Sequence, residues 1–247
     1  RYSFDYAALA DHSMSLVYDS YICVDPRLPK GTAYSFGATK MSLCCCQGAH
    51  AAGDLIVMYD GPPGSLLLSS DKAELLKLGG KPSPLLFTAP PPDLERPFRP
   101  ALSPPPGAIP ISNDGGLLKL KAGDYVADRL TASSITIAGD GRVRIFIKDT
   151  GDSKEEAFKT AADALVNRSA RPHAERLEIW YNGKSQILLG DRTQFDGVIY
   201  APHAEIRLGQ DVKFCGAMVA GEIFAKSGCK ISYDTALRGW VEPVGKH

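Results

Sequence analysis

The sequence FDGVIYA at residues 195–201 is followed, nineteen residues further on, by FCGAMVA at residues 214–220. Each copy begins with Phe, has Gly as its third residue and continues with four apolar residues. Glycines recur at the same nineteen-residue step, and they are Gly190, Gly209 and Gly228. A short fixed period of strands and turns predicts a β-solenoid, in which each coil stacks on the one before it.

The repeated positions predict what each column of the solenoid contains. Aliphatic columns would fill the interior, and the glycine column would lie at a turn where a positive φ is needed. The column of Phe195, Phe214 and Tyr233 would stack ring upon ring. Trp240, which follows the last repeat, is expected to cover the end of the solenoid, because an uncovered end exposes strand edges.

The rest of the chain divides by composition. Residues 1–80 contain short apolar runs separated by glycines, which predict either degenerate first coils of the solenoid or a separate small domain. Eleven of the eighteen prolines lie in residues 81–115. Because Pro has no N–H to donate, this stretch is predicted to be extended, as a linker or as a strap along one body. Residues 116–241 form the predicted solenoid, and residues 242–247 are a tail.

One helix is predicted within the solenoid, at residues 153–168. Ser153 is a suitable N-cap, and Glu156 three residues later completes a capping box. Apolar residues then recur at helical spacing until Asn167, and Pro172 follows. The prediction is an α-helix inserted on the surface of a right-handed parallel β-helix.

The overall composition is that of an ordinary globular protein. The 247 residues are 44% hydrophobic and carry 28 basic and 28 acidic side chains, for a formal net charge of zero. This composition excludes a collagen-like or wholly disordered chain, and the neutral balance argues against nucleic acid as a partner. No apolar run reaches the roughly 20 residues of a membrane-spanning helix. Since the chain begins at Arg1 without a leader sequence, we expect a processed or truncated product.

The six cysteines permit up to three disulfides, and their spacing matches no zinc-binding pattern. They are Cys23, Cys44, Cys45, Cys46, Cys215 and Cys229. An oxidising compartment with a disulfide from Cys23 to one member of the run 44–46 is the first expectation. Buried thiols and interchain crosslinks are the alternatives.

Catalytic chemistry has little support in the sequence. Parallel β-helices include polysaccharide-cleaving enzymes, which need clustered carboxylates, or calcium with a basic residue, on one face. The best candidates for such a face, with Asp191 or Asp196 as a further member, are Arg192, Arg207, Asp211 and Lys226. No paired-acid motif is found among them, so a solvated charged face is the simpler interpretation. We therefore predict no enzyme activity, no cofactor and no metal.

Two further polar residues have structural interpretations. His203 follows Ala-Pro at a predicted turn and is interpreted as a surface residue. Asp234 is expected to hydrogen-bond the final turn of the last coil. The glycine-rich stretches lack the lysine and following helix of a phosphate-binding loop.

The C-terminal half resembles the β-solenoid domain of PilX-type, type IV pilus-associated bacterial proteins. The segments that carry the resemblance are LEIWYNG at 177–183, FDGVIYAPHAEI at 195–206, FCGAMVAG at 214–221 and ISYD at 231–234. GDYV at 123–126 also matches the family, and YDS at 18–20 is a fainter match. The resemblance implies an exported structural domain without catalytic residues, although the PilX-like transmembrane helix is missing from this chain.

These observations together predict a non-enzymatic, exported structural or adhesive β-solenoid attached to a pilus-like or other cell-surface assembly. The expected location is extracellular or on a bacterial cell surface, and the expected partners are pilin-like proteins or further copies of the chain. One alternative is a self-assembling filament or shell subunit. The other is a carbohydrate-binding or carbohydrate-cleaving β-helix, for which a surface glycan would be the ligand.

Overall fold

The computed structural model describes two parts of the chain. Five segments near the N-terminus are described by their backbone: residues 8–17, 21–24, 35–37, 40–44 and 50–51. Residues 103–112, 115–149, 155–169 and 172–237 are described with their side chains, except at Tyr233 and Thr235. The predicted proline-rich strap falls mostly outside the described residues, and Trp240 and the tail fall wholly outside them.

The described strands form one continuous sheet in which every pairing is parallel. The strands are β1 (Ala8–Val17), β2 (Tyr21–Val24), β3 (Ser35–Gly37), β4 (Lys40–Cys44), β5 (His50–Ala51), β6 (Ile109–Pro110), β7 (Leu117–Ala127), β8 (Leu130–Ile147), β9 (Phe158–Val166), β10 (Leu177–Tyr181), β11 (Ile187–Leu189), β12 (Gln194–Leu208), β13 (Lys213–Ala225) and β14 (Lys230–Tyr233). Two single turns of 3-10 helix occupy Ala174–Arg176 and Thr235–Leu237. The predicted parallel β-solenoid is confirmed.

Each coil contributes strand to three faces, which are best defined on β12. The first face contains residues 194–197, the second residues 198–201 and the third residues 205–208, and each pairs with the equivalent part of β13. Side chains alternate inward and outward along each strand. The interior is therefore filled by columns such as the one that joins Ile145, Ile179, Ile199 and Met218, all fully buried.

The coil length is not constant, which corrects two of the predicted columns. Residues of β12 and β13 pair at a step of nineteen as far as Ala201, but after a register shift Glu205 pairs with Glu222. The next coil keeps this shorter step, so Phe214 pairs with Ile231 and Tyr233 pairs with Gly216. The aromatic column therefore ends at Phe195 and Phe214, whose rings stack with centroids 5.1 Å apart and 9° between planes.

The glycine column changes for the same reason. Gly190 and Gly209 each follow the last residue of a paired strand, since Leu189 pairs with Leu208. Gly228 instead lies beside Asp211, and a Cβ on Gly228 would collide with the Asp211 side chain. Gly228 has φ of 72° and Asp211 has φ of 55°, so both adopt the left-handed conformation at the same corner of successive coils. The residue two positions before the first face has a positive φ in five coils, and only two of these residues are glycine: they are Gly115, Asp163, Arg192, Asp211 and Gly228.

The predicted helix at 153–168 is wrong, because the described part of it is strand. Phe158–Val166 is β9, and Phe158 pairs with Leu130 of β8 on one side and Ile187 of β11 on the other. Asp163 and Asn167 have positive φ, at 59° and 52°, which no α-helix can accommodate. Ala, Phe and Leu residues suit either structure, and the open edges of the neighbouring coils select strand.

The two ends of the chain meet within one coil. The first-face strand β14 pairs with β13, and β1 continues the same coil by pairing with the second and third faces of β13. We call this the shared coil, formed by β14 and β1. Strands β2, β3 and β4 form the next coil on top of it.

The N-terminal strands therefore belong to the same sheet, but they do not form its first coils. They stack beyond the last repeat, at the opposite end from β6 and β7. At this end β1 and β2 cover the edges of β13 and β14, and the plug predicted at Trp240 lies outside the described residues. Within the described residues, no helix is long and apolar enough to cross a membrane.

Candidate functional site

The second face of the solenoid offers no accessible surface in its central coils. Its outward side chains include Phe146, Trp180, Tyr200 and Val219, and none is more than 4% exposed. Trp180 and Tyr200 contact each other with ring centroids 5.1 Å apart, and the Trp180 indole donates to the buried Glu178 carboxylate at 2.9 Å. Because both sides of this face are buried, it contributes to the core rather than to a binding surface.

The third face is accessible, but its charges satisfy one another. Glu205 accepts hydrogen bonds from Arg207 at 2.8 Å and from Gln186, on the preceding coil, at 2.8 Å. The Arg207 guanidinium lies 5.3 Å from the centre of the Phe224 ring. Pairs of this kind form a ladder across three coils, which is the hydrated surface expected of a soluble protein.

The first face carries the exposed uncharged surface of the molecule. Leu117, Ser134 and Leu165 occupy one outward column across three successive strands, with Leu117 55% exposed and Leu165 47% exposed. Thr136 and Ala138, the next outward residues of β8, are exposed beside them. We call these five residues the leucine–threonine patch. Only one other large apolar side chain among those described is as exposed, namely Ile109.

The patch has a definite border on each side. At the end of the solenoid, the outermost strand presents Lys119 and Lys121, which are exposed. Such lysines discourage pairing of a free sheet edge with other strands. On the other side Gln194 follows Leu165 in the same outward column, and Asp196, the next outward residue of β12, is fully buried and bound by Arg168 at 2.9 Å. The apolar and hydroxyl part of the first face is therefore limited to three strands, and beyond Gln194 the column continues with the exposed Lys213.

The side chains that cover Asp196 belong to the connection between β9 and β10. We call residues 167–169 and 172–176 the clasp. Asn167 donates to the carbonyl oxygens of Asp196 and His173, at 2.9 Å each. The Ala174 N–H donates to Asp234 at 3.0 Å, which joins the clasp to a residue three coils further along the first face.

Asp234 has the structural role that the sequence suggested, with an additional partner. One carboxylate oxygen accepts from the Ala236 N–H in the final turn at 2.9 Å, and the other accepts from Ala174. Burial raises the pKa of Asp234 above its ordinary value, although these two N–H donors act in the opposite direction. The buried carboxylate of Asp234 therefore links the clasp to the final turn through hydrogen bonds.

The residues proposed as a charged catalytic face are divided between two places, with Arg192 near Asp191 and Asp211 at one corner and Arg207 on the third face. Arg192 lies at the corner before the first face and binds Asp163 through two contacts of 2.7 Å. Asp163 raises the pKa of Arg192, and the hydrogen bond from Arg192 lowers the pKa of Asp163. Asp191 accepts from the Gln210 N–H at 2.8 Å, so it caps the neighbouring turn.

Arg207 and Lys226 also fail to meet. Arg207 pairs with Phe224, whereas the Lys226 N–H donates to the carbonyl of Leu208 at the next corner. His203 is exposed in the bulge that separates the second and third faces. No group of three metal-ligating side chains occurs within the described part of the chain. The predicted catalytic cluster is therefore not assembled.

The cysteines divide into two sets. Cys215 and Cys229 are buried thiols that form no disulfide, and the Cys229 thiol contacts the carbonyl oxygen of Gly209 at 2.9 Å. This corrects their assignment as disulfide candidates. The side chains of Cys23 and of the run 44–46 lie outside the described residues, so the predicted disulfide between them stays a prediction.

The comparisons with known proteins agree with the architecture. A family model described as "Domain of unknown function (DUF7305)" matches residues 122–240. No curated protein matches the chain. Among solved structures, a glycosylated ice-binding protein from an Arctic yeast is similar, with 12% identity and a TM-score of 0.55 over 98% of this chain and 94% of that one. The DUF3494 domain of ice-binding protein 1 from Shewanella frigidimarina is 14% identical with a TM-score of 0.53, over 94% of this chain and 95% of that one.

These findings overturn the resemblance to PilX-type pilus-associated domains. The matching family model is a different one, and the similar structures are ice-binding proteins. Only the β-solenoid character of that prediction holds. At such low identity the structural likeness establishes the fold, and what those proteins bind bears on this chain as a hypothesis.

The sequence analysis missed the leucine–threonine patch. Leu165 was assigned to a helix, which hid its place in a strand. Leu117 belongs to an alternating sequence, LLKLK at 117–121, whose register alone does not tell which residues face outward. Aligning 117–121 with the strand at 134–138 would have placed Leu117, Ser134 and Thr136 on one face.

Proposed function

We propose that this protein is a non-enzymatic β-solenoid that binds an extended, ordered surface through the leucine–threonine patch, and that the surface is ice. The observation that carries the proposal is the column of Leu117, Ser134 and Leu165 on rigid parallel strands. Neighbouring strands in a sheet are held roughly 4.8 Å apart, so the outward groups form a fixed lattice of apolar and hydroxyl groups.

The charge distribution supports this choice of face. Side chains that bind ordered water must keep fixed positions and must not organise a hydration shell of their own. The third face carries ionised side chains on β9 and β12, namely Lys159, Glu205 and Arg207, whereas the patch carries none. Two structural neighbours that span nearly the whole chain are ice-binding proteins, which supports ice as the first ligand to test.

Export to the outside of the cell is part of the proposal. One similar structure is that of a glycosylated protein, which supports an exported location as the one to test. Attachment to a pilus-like or other surface assembly stays a prediction from the sequence, as do a surface glycan and a filament or shell as alternatives.

The test is inhibition of ice recrystallisation by the purified chain, with two matched double variants. Thr136→Glu with Leu165→Glu places two charges on the patch, and Thr131→Glu with Leu188→Glu places two on the outward column of the third face. We expect the natural chain to slow crystal growth, the patch variant to lose this effect and the third-face variant to retain it. Equal loss in both variants would place binding elsewhere, and no effect of the natural chain would exclude ice as the ligand.

A further inference from the structure

The turn between β10 and β11 joins the second face of the solenoid to the third. Its first two residues are Asn182, which is exposed, and Gly183, which is buried. We propose that Asn182 is a site of spontaneous covalent modification, at which the side-chain amide reacts with the Gly183 nitrogen and then with water to leave a carboxylate. This proposal does not depend on what the first face binds.

The reaction needs only the chain and water. The backbone nitrogen of Gly183 attacks Cγ of Asn182, so that a new N–C bond forms and the bond from Cγ to Nδ2 breaks. The Gly183 N–H proton leaves with the side-chain nitrogen as ammonia, and a cyclic imide remains. Water then adds to one of the imide carbonyl carbons and opens the ring. The product is either an ordinary aspartate or an isoaspartate, which is linked to Gly183 through its side chain.

The fold requires glycine at position 183. A Cβ there would collide with the Tyr181 hydroxyl and would lie 2.8 Å from Cγ of Asp149. The Tyr181 hydroxyl is held in this place because it accepts a hydrogen bond from the Ser185 N–H at 3.0 Å. The residue after Asn182 therefore has no side chain to hinder the approach of its nitrogen to Cγ.

The reacting groups are not held apart by other bonds. Among the residues that the structure describes, neither the Asn182 side chain nor the Gly183 N–H has a hydrogen-bond partner. Asn167 is the contrasting case, since it is buried, donates to two carbonyl oxygens at 2.9 Å and is followed by Arg168. Ring closure at Asn167 would break both hydrogen bonds, and two hydrogen bonds of ordinary strength slow a reaction by about tenfold or more.

The new carboxylate would extend a line of charges at this corner. Asp128, Lys148 and Asn182 occupy equivalent positions on three successive coils, because each follows a residue of one paired column. Lys148 binds Asp128 at 2.9 Å, and a carboxylate at position 182 would lie on its other side. Because these side chains are exposed, such a pair adds little stability. The main effect of the reaction is one negative charge on a chain whose formal net charge is zero.

The experiment uses the full chain, kept folded at neutral pH and sampled over several weeks. Trypsin, which cleaves after Lys and Arg, places Asn182 in the peptide 177–184 and Asn167 in the peptide 160–168. Mass spectrometry measures the fraction of each peptide in which the amide has become a carboxylate, and fragmentation separates aspartate from isoaspartate. Asn182→Gln is the matched control, because its longer side chain forms the equivalent ring more slowly. Asn182→Asp marks the position of the product in ion exchange.

We expect the modified fraction at Asn182 to rise steadily and to exceed that at Asn167 by about tenfold or more, with both aspartate and isoaspartate present. A species that elutes with Asn182→Asp should accumulate in the natural chain, and more slowly in Asn182→Gln. Equal modified fractions at the two asparagines would overturn the proposal. So would an unchanged Asn182 in the folded chain at a time when the free synthetic peptide 177–184 has converted, because the fold would then protect this site.

Discussion

The first and second faces are made by consecutive residues of the same strands, yet they serve opposite purposes. On the second face, inward and outward side chains are both buried, as in Ile199 and Tyr200. On the first face, Val166 is buried and its neighbour Leu165 is exposed. The comparison teaches that a coil's apolar content does not reveal which face is the core, because both faces contain aliphatic and aromatic residues. The two faces meet at a corner, which in β13 falls between Gly216 and Ala217.

The largest effect is expected at that corner. Gly216 has φ of 145°, and a Cβ there would collide with the carbonyl oxygen of Gly197 in the preceding coil. We expect Gly216→Val to abolish cooperative thermal unfolding, because backbone atoms cannot move aside as side chains do. Ala138→Val, on the exposed patch, is the control and should melt as the natural chain does. A normal transition in Gly216→Val would show that the corner can rearrange.

Two truncations compare the inward and outward sides of the first face directly. Phe214→Ala removes a buried ring from the stack with Phe195, and we expect a loss of about 3–5 kcal/mol in the free energy of unfolding. Leu165→Ala removes a side chain that is 47% exposed, and we expect a change of about 0.5 kcal/mol or less. Denaturant titrations of both variants measure the difference. Similar losses would mean that the patch is packed rather than accessible.

The clasp provides a smaller effect. Arg168→Gln removes the cation that neutralises the fully buried Asp196, and Asn167 stays in place to hold the backbone. We expect a loss of about 1–3 kcal/mol, because Arg168 itself is partly exposed to water. The matched variant is Arg192→Gln, whose partner Asp163 is exposed, and its unfolding should be indistinguishable from that of the natural chain. Equal destabilisation would indicate that the exposed Arg192–Asp163 pair stabilises the fold as much as the Arg168–Asp196 pair of the clasp.

The smallest effect concerns pH. Burial raises the pKa of Asp234 in the folded protein above the ordinary value of 3.8. The stability that this shift contributes is fully present below pH 3.8, and it is lost as the pH rises through the pKa of the folded protein. Asn cannot titrate. We therefore expect the unfolding free energy of the natural chain, relative to Asp234→Asn, to fall as pH is raised from about 3 to about 7. A difference that grows with pH would mean that the two N–H donors outweigh burial.

The sequence was sufficient to predict the solenoid, because nineteen-residue spacing between FDGVIYA and FCGAMVA reflects strands that are adjacent in space. It was insufficient wherever coils change length. Three residues, 202–204, lie between the second and third faces of β12, whereas β13 has one residue at the equivalent place. The coil of β13 is therefore two residues shorter, and Tyr233 pairs with Gly216 instead of Phe214. The helix at 153–168 was mistaken because helical and strand propensities are close there, and pairing with β8 and β11 decided the outcome.

Two features had no local signal at all. The position of β1 depends on pairing with residues more than two hundred positions away, and such pairings leave no periodic trace. The clasp depends on Asp196 and Asp234, which were assigned to a charged face and to a final turn. Asp196 is bound by Arg168 from the adjacent coil, and Asp234 is bound by Ala174 from a loop three coils away, so neither partner could be named before the coils were stacked.

The shared coil also determines how the molecule would carry a mechanical load. Pulling on the two chain ends draws β1 and β14 away from the neighbouring strands, and both strands are held by β13. The force would therefore enter at this one coil, while the coils from β7 to β12 lie outside the path between the points of attachment. A tether at either end would transmit tension to the shared coil, which β12 and β13 separate from the leucine–threonine patch, and the patch would keep its shape until the shared coil opened.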